Sequence, residues 1–338
     1  MSKNSKLLIL SIPIVFLILC IGTSIGSSNI NIFDTANILL NKLLNIPLRE
    51  NINHKDISII WSLRLPRVLL AFLVGGCLAT SGAVVQSILK NQLASPYTLG
   101  VSSGASLGVG LVIVLGISIP FLGTLTLPII GFLFGLLTVY LVINFSSKID
   151  KYMSNNTIIL TGMVFSLFVN ALLTTLTALF SEEIKSITMW QMGSFSMRGW
   201  SYVRAILPFC IVGVLGVLKY TKEMDILTFG EEQAKAVGVE TEKIKKYLFL
   251  FSAVLTGSAV AVSGTIGFVD LIAPHVVRKV FGSKHKYVIP MSFVFGGCLM
   301  VITDLISRTI ISPSELPVGA ITAIIGAPFF AYVYFKGK

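Results

Sequence analysis

Three groups of residues have types and spacings that could do chemistry. Gly100-Val101-Ser102-Ser103-Gly104 and Gly104-Ala105-Ser106-Leu107-Gly108 both fit G-x-S-x-G, and His275 lies in another apolar stretch. A serine nucleophile with a histidine base would make an intramembrane serine protease. The motif needs a sharp strand-to-helix elbow, however, and a chain this rich in Gly and Ser matches it cheaply. The second group is Asp270, His275 and Asp304, ionisable side chains within apolar runs. Charges at mid-membrane are costly and usually serve ion or proton coupling, the mark of a secondary transporter. Here Asp270 and Asp304 fall toward segment ends, and Asp304 and Arg308 stand at i, i+4, the better order for a helical ion pair. No mid-membrane acid is then left to carry a proton. Pro274 frees a backbone carbonyl beside His275, which favours a structural role for this pair over metal handling. The four cysteines, Cys20, Cys77, Cys210 and Cys298, stand singly in apolar stretches and form no C-x-x-C. No catalytic residue and no metal site is expected.

The third group lies in a charged inner loop, 219–245. No G-x-x-x-x-G-K-[ST] sequence occurs, so the chain lacks the P-loop route to a nucleotide. Transport energy would then come from a separate ATPase on the cytoplasmic face, and this loop offers it a contact. Thr228-Phe229-Gly230-Glu231 fits the T-x-x-E capping box that opens a helix. Glu231 and Glu232 suit the first turn, where the helix dipole favours anions. Gly238 suits a left-handed end. These signals predict a two-turn helix presenting Phe229, Ala234 and Val237; a solvated connecting helix is the plainer alternative.

The elements that must position these residues are written in the composition. Of 338 residues, 54% are hydrophobic and only 12% charged, with a mean hydropathy of +0.87. Soluble domains carry about 25% charged residues. Leu7–Gly26, Val68–Leu89, Leu125–Phe145 and Leu316–Phe335 each approach the roughly 20 residues that span a bilayer as helix. The runs are continuous, not alternating, and lipid leaves no backbone group unsatisfied, so they predict helices. Ten membrane segments are expected: 6–26, 67–89, 99–118, 124–145, 157–180, 202–218, 246–263, 267–281, 287–308 and 317–335. The eighth is short, tilted or partly re-entrant. The first is longer than the apolar core of about 7–15 residues in a secretory signal, and is read as a retained helix with Pro13 inside it.

With the N-terminus inside, 17 of the 26 Lys and Arg residues fall on the cytoplasmic side, the asymmetry that sets topology. Both termini are then cytoplasmic. This distribution also accounts for the net charge of +11 without nucleic acid as a partner. Residues 27–63 form an outer loop, and Trp190 and Trp200 mark an interfacial stretch, 181–200. Ala79-Thr80-Ser81-Gly82 and Ala261-Val262-Ser263-Gly264 echo one another in segments of opposite direction, which suggests an inverted repeat of the kind found in transporters.

Several stretches together resemble the permease subunits of ATP-binding-cassette importers for ferric siderophores, haem and vitamin B12, the FecCD/BtuC type. They are Arg64-Leu65-Pro66-Arg67, Ser81-Gly82-Ala83, Asn91 to Pro96, Leu99 to Gly104 and Trp190-Gln191-Met192-Gly193. Further on come Gly230-Glu231 to Gly238-Val239, Gly264 to Val269, Pro274-His275, Glu315 to Gly319 and Gly326-Ala327-Pro328. Gln92 stands where the family usually shows proline. The resemblance covers the chain from about residue 60 to its end.

It implies an all-α polytopic membrane protein, a single permease domain over 1–338 with about ten transmembrane helices and the BtuC-like (type II) fold. It implies partners: a second permease copy or paralogue, two ATPase subunits that bind the ATP, and an extracellular or periplasmic substrate-binding protein. It assigns docking on that protein to Arg64, Arg67 and Arg308, whose guanidinium forks suit carboxylates. It assigns ATPase coupling to the helix bearing Gly230, Glu231, Ala234 and Gly238, and the cytoplasmic gate to Asn91, Leu93, Ser154 and Asn155. The protein would sit in the bacterial cytoplasmic membrane, use no cofactor of its own and move an iron chelate, ferric siderophore before haem or cobalamin.

Overall fold

A computed structural model of the chain describes residues 3–26, 30–49 and 52–336; Lys338, counted above among the inner cations, lies outside them. Among the described residues every regular element is helical. The chain opens with α1 (Lys3–Ser24), α2 (Ile32–Leu44), α3 (His54–Ser58) and α4 (Leu65–Ile88). Then follow α5 (Val101–Val114), α6 (Thr126–Ile149), α7 (Asn155–Leu179), α8 (Ile184–Gln191) and α9 (Trp200–Lys219). It continues with α10 (Thr221–Phe229), α11 (Glu231–Ala236), α12 (Thr241–Ser263), α13 (Val269–Phe281), α14 (His285–Thr309) and α15 (Val318–Lys336). Six stretches among the described residues are long and apolar enough to cross a membrane: His54–Ile88, Gly123–Ile149, Asn155–Leu179, Trp200–Lys219, Thr241–Ser263 and His285–Thr309. Shorter apolar helices at Leu10–Ser24, Val101–Val114 and Val318–Tyr332 accompany them.

The second long helix starts earlier than its apolar run. Pro66 has no amide with which to continue an α ladder. A π turn over Ile59–Arg64 absorbs the fault, with Leu65 N–H reaching back to the Ile60 carbonyl, and joins α3 to α4. The outer stretch 27–63 therefore holds α2 and the first turns of this helix. Hydropathy missed those turns because His54, Lys55, Asp56 and Ser58 are polar.

α4 is the buried axis of the bundle, wrapped by α1, α9, α12, α13 and α14. Small residues allow this. A Cβ on Gly75 would stand 2.2 Å from the Gly296 carbonyl of α14, so the two backbones touch as no larger residue permits. On the other side, Ser81 Oγ meets Ser252 Oγ at 2.5 Å and Thr256 Oγ1 at 2.6 Å on α12.

α5 and α13, with 14 and 13 residues, rise only about 20 Å and cannot cross about 30 Å of hydrocarbon alone. Each is preceded by a non-α stretch, residues 89–100 for α5 and 264–268 for α13. These two stretches and the start of α13 are pinned together. Ser95 Oγ donates to Asp270 Oδ2 at 2.5 Å, the Tyr97 hydroxyl donates to the Ile266 carbonyl at 2.7 Å, and Gln86 Nε2 donates to the Asp270 carbonyl at 3.1 Å. Asp270 packs against Gly82, roughly 22 Å along α4 from Arg67. It stands second in α13, at the segment end as expected, and is nonetheless fully buried, because the start of α13 packs against α4.

The four-residue echo does not mark equivalent places: Gly82 lies inside α4, whereas Gly264 follows the end of α12 at φ +79°. What recurs is a larger pattern of long helix, non-α stretch and half-length helix, in α4–α5 and again in α12–α13.

Candidate functional site

At the outer end, Arg64, Arg67 and Arg308 converge on one open bowl of about 670 Å³, walled also by Leu63, Phe195, Met197, Arg198 and Glu315. All three guanidinium groups are engaged within the chain. Arg67 is held by two carboxylates: Nε and Nη2 donate to Asp304 at 3.1 and 2.8 Å, Nη1 and Nη2 to Glu315 at 2.7 and 3.0 Å. Arg64 Nη1 donates to the Ser24 carbonyl at 2.6 Å and the Thr23 carbonyl at 3.3 Å. Arg308 Nη1 donates to the Ile25 carbonyl at 2.8 Å, and its Nη2 donates to the Gly22 carbonyl. The last carbonyls of a helix have no partner within it, and cations suit that end of the dipole. Arg64 and Arg308 thus cap α1 together.

The Asp304–Arg308 pair expected from spacing is the weaker contact of that acid, at 3.5 Å from Nε to Oδ2; Arg67 is its main partner. The Arg67 hydrogen bonds hold the Glu315 carboxyl below its ordinary range. Arg198, absent from the expected docking set, also lines the bowl. Its guanidinium carbon lies 4.5 Å from the centre of the Tyr202 ring. No periodic signal marked it, because it sits in a turn between Met197 and Gly199.

At the inner end the expected loop 219–245 holds two short helices, α10 and α11, and the first turn of α12. The capping box does not form. Thr228 lies inside α10 and its hydroxyl turns back to the Asp225 carbonyl at 2.6 Å. Gly230, at φ +141°, makes the break between α10 and α11 instead, a conformation that a Cβ would exclude. Gly238 ends α11 at φ +85°, as predicted, with Val239 N–H returning to the Ala234 carbonyl at 3.0 Å. Phe229 and Val237 project, 80% and 67% exposed. Ala234 does not: it is fully buried on the inner face of α11, which corrects its expected place among the presented residues. Only a side chain this small lets so short a helix lie flush on its neighbours.

Lys245 of α12 ties this region together. Its side chain is 1% exposed, and Nζ donates to Glu231 Oε1 of α11 at 2.5 Å and to the Met153 carbonyl at 3.1 Å. Met153 belongs to the turn before α7, whose next residues are the expected gate residues Ser154 and Asn155. Lys235 of α11 makes a second tie, with Nζ 2.7 Å from Glu242 and 4.8 Å above the Tyr152 ring. The Glu242 hydrogen bond raises the Lys235 ammonium above its usual range. Ser154, Asn155, Glu231 and Lys235 line one inner cavity.

Ser154 caps α7, and its own N–H donates to Asp150 Oδ2 at 2.9 Å. Amide donors from Ser154 and Tyr152 hold the Asp150 carboxyl below its usual range. Asn155 Oδ1 is buried without a partner among the described residues. Asn91 Oδ1 accepts Leu93 N–H at 2.9 Å, shaping the turn after α4, and both side chains are exposed. Asn91 lines a different cavity, with Lys90, Arg278 and His285. His285 Nδ1 pairs with Asp225 of α10 at 2.6 Å.

The enzyme readings find no geometry. Neither Ser102, Ser103 nor Ser106 bonds His275, whose ring stands edge-on to Phe329 of α15 at 6.1 Å. Gly104 packs α5 against Thr138 of α6. No group of three metal-ligating side chains occurs among the described residues.

The FecCD transport family profile matches residues 14–336, nearly the whole chain. This chain belongs to the FecCD transport family. An uncharacterized ABC transporter permease of Bacillus subtilis is 44% identical over 82% of this chain and 79% of its own length. The hemin transport system permease of Yersinia pestis is 35% identical, covering 95% of this chain and 94% of its own. The Fe(3+)-citrate import system permease of Bacillus subtilis is 34% identical over 99% and 97%. A solved chain described as of the metal-chelate type of ABC transporter, in an inward-facing conformation, superposes with a TM-score of 0.85 at 31% identity, over 98% of this chain and 99% of that one.

As a FecCD permease the chain is a multi-pass membrane subunit of an ABC importer, of a family whose members carry iron chelates and cobalamin.

Proposed function

We propose that this permease moves a bulky iron chelate inward by alternating access, driven by two ATPase subunits that dock on α10 and α11. The observation that carries this reading is the Lys245 tie, which joins the exposed α11 to the turn before α7 through one buried ammonium. A push on Phe229 and Val237 from below reaches residues 153–155 without passing through flexible chain. Both termini lie in the cytoplasm on this reading, and loaded binding protein docks over the outer bowl.

The cargo path is assigned to the open side of α7. Asn170 and Thr174 are exposed there in line with Met163 and Leu167, at helical spacing. Polar side chains facing lipid are costly, so this face suits a water-filled passage shared with a second permease. Neutral amide and hydroxyl groups fit a large chelate whose metal is already fully ligated. Ferric siderophore is the first choice of cargo, followed by haem and cobalamin. The test is uptake of radiolabelled iron chelates by cells expressing the importer with Gly238→Trp. That variant forces a side chain onto the left-handed backbone that ends α11, at φ +85°, and should keep the permease in the membrane while abolishing uptake. Normal uptake, with the ATPases still responding to cargo, refutes the coupling assignment.

A further inference from the structure

The inner cavity between the turn after α4 and the start of α14 holds about 240 Å³. Its walls carry Lys90, Arg278 and His285, with the hydroxyls of Ser87 and Thr228 and the amide of Gln92, and no carboxylate among the described residues. Arg278 of α13 is partly buried there and donates only to neutral acceptors, Gln86 Oε1 at 2.5 Å and the Ala83 carbonyl at 3.4 Å. An arginine has five N–H donors, so most of this fork is left over, and its charge has no counter-ion among the described residues. A charge drawn out of water is costly unless an opposite charge pairs with it. Asp225, which approaches from α10, is taken by His285, whose backbone N–H and Nδ1 lie 2.9 and 2.6 Å from one of its oxygens. Lys90 stands at φ +50° in the left-handed turn that closes α4, with Asn91 N–H returning to the Gln86 carbonyl at 3.1 Å. Glycine or asparagine suits that place, so lysine is held there against its backbone preference. Its ammonium bonds nothing among the described residues.

We propose that this cavity binds a small oxyanion of the phosphate class, held by Arg278 and Lys90. A guanidinium fork takes such an ion through parallel bonds, and lysine adds a point charge on a flexible stem. The hydroxyls of Ser87 and Thr228 and the amide of Gln92 are neutral donors for the remaining oxygens. The bound ion supplies the counter-charge that the fold leaves missing beside Arg278. It also bridges the end of α4 to α13. Lys90 heads the turn that carries Asn91 and Leu93, so an occupied cavity fastens that turn to the bundle, and the anion level inside the cell sets how readily the turn moves. Free phosphate and the phosphate of an inner-leaflet lipid share this chemistry. The proposal goes beyond the transport reading and is independent of the cargo.

The test is hydrogen exchange of the full-length permease in phosphatidylcholine nanodiscs, with inorganic phosphate titrated against chloride at constant ionic strength. The amides of Leu89, Lys90 and Asn91 close the end of α4 and report the turn. Phosphate should slow their exchange saturably, by about tenfold at about ten times its dissociation constant. Arg278→Gln and Lys90→Gln should each remove most of that slowing. Lys90 is exposed, so its variant keeps the test decisive if Arg278→Gln fails to fold. Equal exchange in phosphate and in chloride overturns the proposal, and so does slowing of wild-type size in both variants. Nanodiscs containing phosphatidylglycerol separate the two sources. Slowing there without added phosphate assigns the site to a lipid headgroup, and slowing only with added phosphate assigns it to the free ion. With ATPase subunits bound, the effect should persist; its loss gives the cavity to an acidic side chain of that partner and overturns the proposal.

Discussion

Replacing Lys245 with methionine isolates the tie between α11 and the turn before α7. Methionine nearly matches the length of the lysine stem, so packing is kept and no cavity opens. What is lost is one charge-assisted hydrogen bond to Glu231 and one bond to the Met153 carbonyl. Cutting a wholly buried pair costs about 3–5 kcal/mol because the surviving charge is stranded. Here the survivor, Glu231, is 29% exposed and can turn to water, so the smaller cost of a charged hydrogen bond applies, about 1.5–3 kcal/mol. That free energy falls on the docking of a six-residue helix held between two glycines, not on the whole fold. The local opening constant should rise about tenfold to about a hundredfold. Hydrogen exchange in nanodiscs reads it at the amides of Ala234, Val237, Gly238 and Val239, whose bonds close α11. Their exchange should quicken by that factor while α4 and α14 stay protected, and ATP-driven uptake should fall. Unchanged exchange at those four amides refutes the tie.

Arg67→Met leaves the buried Asp304 facing only Arg308 at 3.5 Å. The fold should lose about 3 kcal/mol, read as a lower melting temperature of the purified permease. Gly82→Ala drives a Cβ to 1.9 Å from the Asp270 carbonyl, where backbone cannot yield. Size-exclusion chromatography should show little folded monodisperse protein. Glu315 has a folded pKa below its ordinary 4.5, so its contribution is present above that value and is lost as pH falls through the lower, folded value. Melting temperature should therefore be insensitive to this pair between pH 6 and pH 8, values about two units or more above the carboxylate range, and drop in acid. Glu315→Gln should flatten the acid limb.

Much of this architecture was legible in the sequence because lipid makes hydropathy nearly sufficient for locating helices. Segments 124–145, 157–180 and 287–308 lie within α6, α7 and α14 or overrun them by no more than two residues. Failures came where backbone satisfaction is supplied from elsewhere. The turns at His54–Arg64 are polar and lie under a proline, and only the structure shows a π turn carrying them into α4. The burial of Asp270 was hidden because its partners come from distant residues: Ser95 donates to its carboxylate, and Gln86 donates to its carbonyl, which Pro274 leaves without a helical amide.

The same holds for the sites. Gly238 was readable from its own conformation, whereas the T-x-x-E pattern at Thr228 competed with a helix already running through it. Arg64, Arg67 and Arg308 were found by motif, but their partners lie far off in sequence, on the end of α1 and in Asp304 and Glu315. The join between Lys245 and Met153 spans 92 residues, and no local spacing announces it.

The most direct test is reconstitution into sealed proteoliposomes, with and without the cognate ATPase, in the presence of the binding protein and radiolabelled ferric siderophore. Accumulation against a gradient is expected only when the ATPase and ATP are present, with the permease alone giving none. Concentrative uptake by the permease without any nucleotide-hydrolysing partner would contradict the claim that its movement is driven from outside the chain.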